Sequence, residues 1–160
     1  MGQWLFKSEP AEYSYEDLER DGETDWDGVT NPLAQRYLSQ VRRGDRIYLY
    51  HTGREKAVVG ILEAVADAQR DPQTGQGWIV RVRPVRRLEQ AVPLARIKSD
   101  PACADWELVR ISRLSVMPVP PPIWEKIAAW GHPCCWPIRS VVPKTLSEGE
   151  SGQRGLPERQ

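Results

Sequence analysis

Two tryptophan-led segments near the N-terminus carry the side chains best placed to do chemistry. In Trp4-Leu5-Phe6-Lys7-Ser8-Glu9-Pro10 an apolar run ends on Lys, Ser and Glu. In Trp26-Asp27-Gly28-Val29-Thr30-Asn31 a Trp precedes a Gly-hinged turn that leads to Asn31-Pro32. An aromatic face opposite a polar strand end suits a flat ligand, stacked on one face and read along one edge by donors and acceptors. A flipped-out nucleobase is such a ligand.

Within that pattern Trp26 is the candidate stacking surface, although its position alone favours an anchor in the core. Ser8 offers one donor and two acceptors, and Asn31 offers both kinds in fixed geometry, although Asn31 is also well suited to cap a helix. Lys7 and Ser8 point to opposite sides of a strand, so one of them faces the ligand directly. Glu9 can accept an N–H from a cytosine amino group or pair with a surface arginine. Tyr50-His51-Thr52 ends a second strand beside a Gly turn and joins Lys7, Ser8, Glu9, Trp26, Val29 and Asn31 as the expected base pocket. Arg54, Lys56, Arg81 and Arg83 are the expected contacts to a phosphate backbone, against the alternative of ordinary solvated arginines.

Composition excludes several classes. Three cysteines without a Cys-x-x-Cys pair, and His51 far from His132, make no zinc site. No Gly-x-Gly-x-x-Gly or Walker loop is present. Neither metal nor cofactor is expected. No signal sequence and no apolar run of membrane-spanning length is found, so the expectation is a cytoplasmic monomer with no membrane partner. The net charge is zero, yet residues 1–30 hold nine acids against Lys7 and Arg20, while residues 31–113 hold fifteen Lys/Arg against nine Asp/Glu. Such asymmetry fits either a basic face for nucleic acid or a solvated mixed surface. Seven Trp against one Phe point to indole faces used on a ligand as well as in the core.

The elements that must position these residues can be read in order. Gln3 to Lys7 is a short buried strand. Ser14-Tyr15-Glu16-Asp17 is a capping box with Asp in the third place, opening a helix of about two turns. Asn31-Pro32 opens another, with Leu33, Tyr37, Leu38 and Val41 at helical spacing. Arg46 to His51 and Ala57 to Leu62 form a hairpin, and Trp78 to Arg83 alternates apolar and basic residues as a half-buried strand. Val92 to Lys98 reads as a short helix or turn, Leu108 to Met117 as mostly extended, and Ile123 to Trp130 as a last helix. Residues 131–160 form a tail expected to be largely disordered after about residue 140. Five or six short strands with small helices between them indicate a small, partly open β-barrel.

The ordered motifs resemble the EVE domain family, a PUA-like branch related to YTH domains. They are the two Trp segments, Gly44-Asp45 before Tyr50-His51-Thr52, Val58-Val59-Gly60-Ile61, Leu94-Ala95-x-Ile97-Lys98 and Arg113-Leu114-Ser115-Val116-Met117-Pro118. The resemblance runs from Met1 to about Trp130. It implies an α+β fold, a PUA-like mixed β pseudo-barrel with flanking short helices. It also implies a non-catalytic reader of a modified base, methylated cytosine in DNA or a modified base in RNA, the latter for bacterial stand-alone members. The resemblance reverses the balance at Trp26, from core anchor to stacking surface. Many members carry Arg where this chain has Thr30. The loop from Asp67 to Gly77 is short, and Trp78 is the only aromatic near it. Two rivals remain. One is a PUA-like amidohydrolase acting on an acylated nucleoside through Lys7, Glu9 and Thr52. The other is a protein-interaction module with an exposed apolar patch.

Overall fold

The computed structural model describes residues 2–132 apart from Gly28, Thr74 and Ser112. The chain runs β1 (Gln3–Ser8), α1 (Tyr15–Asp21), β2 (Thr24–Trp26), α2 (Pro32–Leu38), β3 (Arg46–His51), β4 (Ala57–Ala64), β5 (Gln69–Arg70), β6 (Trp78–Pro93), α3 (Leu94–Lys98), α4 (Glu107–Arg110), β7 (Val116–Pro118) and α5 (Pro121–Gly131). The sheet order is β2-β6-β4-β3-β1-β7, with β5 paired to the start of β6. The sheet curls into a half-barrel flanked by short helices, the α+β pseudo-barrel expected from the sequence.

The pairing of β1 with β3 is parallel, from Gln3 opposite Arg46 to Ser8 opposite His51, whereas the other pairs are antiparallel. A parallel pair needs a long crossover. Here residues 9–45 supply it, and they include α1, β2 and α2. The crossover leaves the sheet at the polar end of β1, which is why Lys7, Ser8 and Glu9 meet β2 and the start of α2.

Both helices of the crossover start as the sequence reading requires. The Ser14 hydroxyl accepts from the Asp17 N–H while the Asp17 carboxylate accepts from the Ser14 N–H, a complete capping box. Asn31 Oδ1 accepts from the N–H groups of Leu33 and Ala34, and Pro32 takes the first helical position. The apolar faces of these helices bury Tyr15, Leu18, Ala34 and Leu38 against the sheet. On β3 the five residues after Arg46 are buried, as in a strand covered on both faces. Tyr48 stacks on Trp124 of α5 at 3.8 Å between ring centroids and donates its hydroxyl to the Trp124 carbonyl at 3.1 Å. Asp45 is buried just before β3. It accepts from Gly2 N–H, Trp4 Nε1–H and Arg42 N–H at 2.8 to 2.9 Å, tying the starts of the two parallel strands together.

Three elements differ from the sequence reading. Thr24–Trp26 is a strand, although Asp25 stands in its middle, because it pairs with Val80 to Val82 of β6. Strand β6 does not stop near Arg83 but continues to Pro93, and register shifts opposite Val58/Gly60 and Ile61/Leu62 let it bend across β4. The segment read as extended from Leu108 begins instead with one helical turn, α4. Trp106 precedes it, accepting from Arg110 N–H through its carbonyl and donating its indole N–H to the Pro118 carbonyl, which pins the turn beside β7. The expected disordered tail, Cys134, Cys135 and the Gly28 hinge lie outside the described residues.

Candidate nucleic-acid interface

A cleft of about 470 Å³ opens where the crossover leaves β1. Lys7, Ser8 and Glu9 line it from β1, and Glu12 and Tyr13 from the loop before α1. Strand β2 contributes Thr24, Asp25 and Trp26, and Asp27, Val29, Thr30 and Asn31 follow. Arg113 and Ser115 close the side toward β7, where the Lys7 N–H donates to the Ser115 carbonyl at 2.9 Å.

Of the expected base pocket, Lys7, Ser8, Glu9, Trp26, Val29 and Asn31 come together here. Tyr50, His51 and Thr52 do not line the cleft; they lie one strand away on β3 and beyond it. His51 is buried and already employed. Its Nε2 accepts from the Tyr15 N–H at 3.1 Å, so the ring proton sits on Nδ1, 2.6 Å from Glu55 Oε1. The Tyr50 ring lies 5.7 Å from Lys7 Nζ and supports that ammonium from outside the cleft. Thr52 touches the site indirectly, through hydroxyl contacts to Glu9 Oε2 at 3.3 Å and to the Ser8 carbonyl at 3.4 Å.

The hydrogen-bonding edge of the cleft is narrower in role than the residue types imply. Ser8 donates its hydroxyl proton to the Tyr13 carbonyl at 2.5 Å and so faces the cleft as an acceptor. Asn31 has its amide oxygen engaged by two helical N–H groups, which fixes the amide orientation and leaves the nitrogen as a donor without a partner among the described residues. Trp26 is 8% exposed, packed at 5.4 Å from Phe6 and edge-on to Tyr13 at 6.4 Å. The other two buried indoles donate, Trp4 to Asp45 and Trp106 to Pro118. Trp26 has no acceptor among the described residues, and its N–H is not sealed in the core, since the fully enclosed side-chain atom without a partner there is His132 Nε2. A buried indole normally finds an acceptor. The Trp26 N–H is therefore neither paired nor sealed off, in a ring that borders the cleft.

Four carboxylates, Glu9, Glu12, Asp25 and Asp27, stand against Lys7 and Arg113 around the opening. Burial pushes the Lys7 ammonium below the ordinary lysine range. The expected phosphate contacts divide into two kinds. Arg81 is ion-paired with Glu23 at 2.9 Å and Asp25 at 3.1 Å, and Arg83 with Glu63 at 2.5 Å. Arg54 and Lys56 are exposed on the β3–β4 turn and make no ion pair among the described residues. The acidic first thirty residues are thus matched in part to the arginines of β6, a pattern completed by Glu19 and Arg87 at 2.6 Å. Sequence reasoning missed Tyr13, Asp25 and Arg113. Arg113 stood in a quoted motif without a role, whereas the local signal at Tyr13 was only its place before a helix cap.

The family model for the EVE domain matches residues 2–130. The chain belongs to the EVE domain family. Thymocyte nuclear protein 1 of Homo sapiens is 30% identical over 60% of this chain and 55% of its own length. The chain therefore spans about half the length of the curated relatives it matches. A solved Rhodopseudomonas palustris protein is 36% identical, with a TM-score of 0.77 over 82% of this EVE chain and 93% of that one. The human THYN1 protein, solved in complex with 5-methylcytosine-containing DNA, has a TM-score of 0.76 over 82% of this chain and 98% of that one; at 24% identity the likeness is one of fold. No helix among the described residues is long and apolar enough to cross a membrane.

Proposed function

We propose that this EVE domain is a non-catalytic module that binds DNA or RNA and reads one modified base in the cleft between β1, β2 and the loop into α2. The observation that carries the reading is the indole N–H of Trp26, open and without a protein acceptor in a side chain otherwise buried. Beside it Asn31 holds an amide donor. Ser8 and the carboxylates of Glu9, Asp25 and Asp27 are acceptors on the same cleft, and Val29 and Tyr13 offer apolar contact for a methyl group. A pyrimidine with an exocyclic amino group needs both kinds of partner. The complex of a same-fold human protein with 5-methylcytosine DNA supports the assignment.

The charge of the cleft favours a division of labour. Its acidic rim repels phosphate, so only the base enters while the backbone passes along the edge near Arg113. Arg54 and Lys56 are further candidates for that track. Two observations weigh against the rivals. Thr52, the hydroxyl an amidohydrolase would need, does not line the cleft, and turnover of an acylated cytidine is the direct check. Among the described residues Val85 is the one exposed large hydrophobic, which leaves a protein-docking patch without material.

The test is a titration with matched oligonucleotides, as DNA and as RNA, carrying cytosine or 5-methylcytosine at one position. Tighter binding of a modified strand is expected. Equal affinity for the modified and unmodified strands in both series defeats the proposal for this base.

A further inference from the structure

Val29 and Thr30 line two grooves at once. Beyond them lies a second one of about 440 Å³, walled by Gln35 of α2 and by Asp71, Gly77 and Trp78. One side chain fixes both walls. Gln35 Nε2 donates to the Val29 carbonyl at 2.6 Å, and its Oε1 accepts from the Trp78 N–H at 2.7 Å. The Trp78 ring is half-buried, and the Arg70 guanidinium lies 4.5 Å from its centroid. Arg70 is exposed and makes no ion pair among the described residues, unlike Arg81, Arg83 and Arg87 of β6.

We infer that this second groove receives the nucleotide next to the base held in the first cleft, with its base against Trp78 and its phosphate within reach of Arg70. The inference rests on the reading of the first cleft proposed above. Three observations carry it. The grooves share a wall, so a ligand extended from the first cleft passes over Val29 and Thr30 into the second. An indole beside an uncompensated cation is the pair that single-stranded nucleic acid engages, since every base has a face to stack and every linkage a charge to neutralise. An extended peptide finds little edge on β6 here, because β5 pairs with it, Gln69 with Ile79 and Arg70 with Trp78, and the Trp78 N–H is taken by Gln35. An enzyme or reader that extrudes one base also gains its context preference from contacts to the flanking nucleotides.

The experiment uses two probes in calorimetric titrations of the full chain, the nucleoside 5-methyl-2′-deoxycytidine and a single-stranded pentanucleotide with 5-methylcytosine at its centre. The pentanucleotide is expected to bind more tightly than the nucleoside. Trp78→Ala and Arg70→Ala are each expected to weaken the pentanucleotide about tenfold and to leave the nucleoside unchanged, with Trp78→Phe keeping most of the affinity. Arg70 is exposed, so that variant guards against a folding defect in the tryptophan variant. Pentanucleotide affinity within twofold of wild type in both alanine variants overturns the proposal, as does an equal loss for both probes in folded protein. Binding of neither probe defeats the first-cleft reading for 5-methylcytosine in DNA and this one with it. Nucleoside binding without any gain from the pentanucleotide defeats only the second groove.

Discussion

The ring of Tyr15 occupies the space that a side chain at position 60 would need. A Cβ on Gly60 would come within 2.6 Å of Tyr15 Cδ2 and 2.8 Å of Cζ. The Tyr15 hydroxyl donates to the neighbouring Ile61 carbonyl at 3.0 Å, and burial raises that phenol to about 12. This contact seats α1 on β4 and so fixes the Tyr13 loop that forms one side of the cleft. Gly60→Ala is expected to destabilise the domain by about 1–3 kcal/mol, the range for overpacking a filled core. Denaturant unfolding with an unchanged midpoint would show that the ring is free to move aside.

Asn31 holds two jobs that separate cleanly by substitution. Asp at this position keeps the capping oxygen and removes the amide donor, while Ala removes both. Asn31→Asp is expected to retain thermal stability and to lose about tenfold in binding of a modified base. Asn31→Ala is expected to lose a similar affinity together with about 1 kcal/mol of stability. Full binding by the folded Asp variant would confine Asn31 to its helix.

Phosphate contacts are read by salt dependence. Arg113 borders the cleft and makes no ion pair among the described residues, whereas Arg83 is committed to Glu63. Arg113→Ala is expected to reduce the slope of log affinity against log salt by about 1, and Arg83→Ala to leave it nearly unchanged. The reverse order would move the backbone track to β6.

Removing the Trp26 N–H without removing its ring tests the donor directly. Trp26→Phe is expected to preserve packing against Phe6 better than Trp26→Ala, which risks about 3–5 kcal/mol of core stability. Both variants are expected to bind modified and unmodified strands alike. Retained discrimination by a folded Phe variant would limit Trp26 to an apolar wall.

What was legible in the chain was local. The caps at Ser14 and Asn31 depend on neighbours two or three residues away, so sequence spacing names them. The polar end of β1 and the Trp26 segment were visible as motifs. Strand β2 was not, because Thr24-Asp25-Trp26 has no strand-like run of its own and is made a strand by β6, more than fifty residues distant. Tyr50-His51-Thr52 looked like part of the site because it ends a strand beside β1. The structure instead spends His51 on Tyr15 and Glu55. The pairing of Arg81 with Glu23 and Asp25 was hidden for the same reason as β2, since it exists only after that strand docks.

His132 gives a pH-dependent stability with a definite sign. It is 3% exposed at the end of α5, with Nδ1 3.4 Å from the Glu89 amide nitrogen and Nε2 enclosed without a partner among the described residues. Burial and the nearby Arg86 charge hold its pKa below the ordinary 6.5, with Glu89 opposing them. The unfolded chain therefore takes up the proton first as pH falls. Stability is whole above about pH 6.5 and declines below it, toward the lower pKa of the folded state. His132→Gln is expected to flatten this decline between pH 7.5 and 5.5 in melting experiments. An identical decline in the variant would assign it to other groups.

The first strand of this domain waits for nearly the last. Strand β1 is flanked by β3 on one side and by β7 on the other, with Trp4 opposite both Ile47 and Pro118. On a ribosome, Leu5 and Phe6 emerge long before Val116 and Met117 exist to cover their open edge. Synthesis at about 5–20 residues per second leaves that interval at several seconds or more. During it the nascent chain carries an apolar strand with one side unpaired, a natural ligand for a chaperone and a point at which slow translation would be felt.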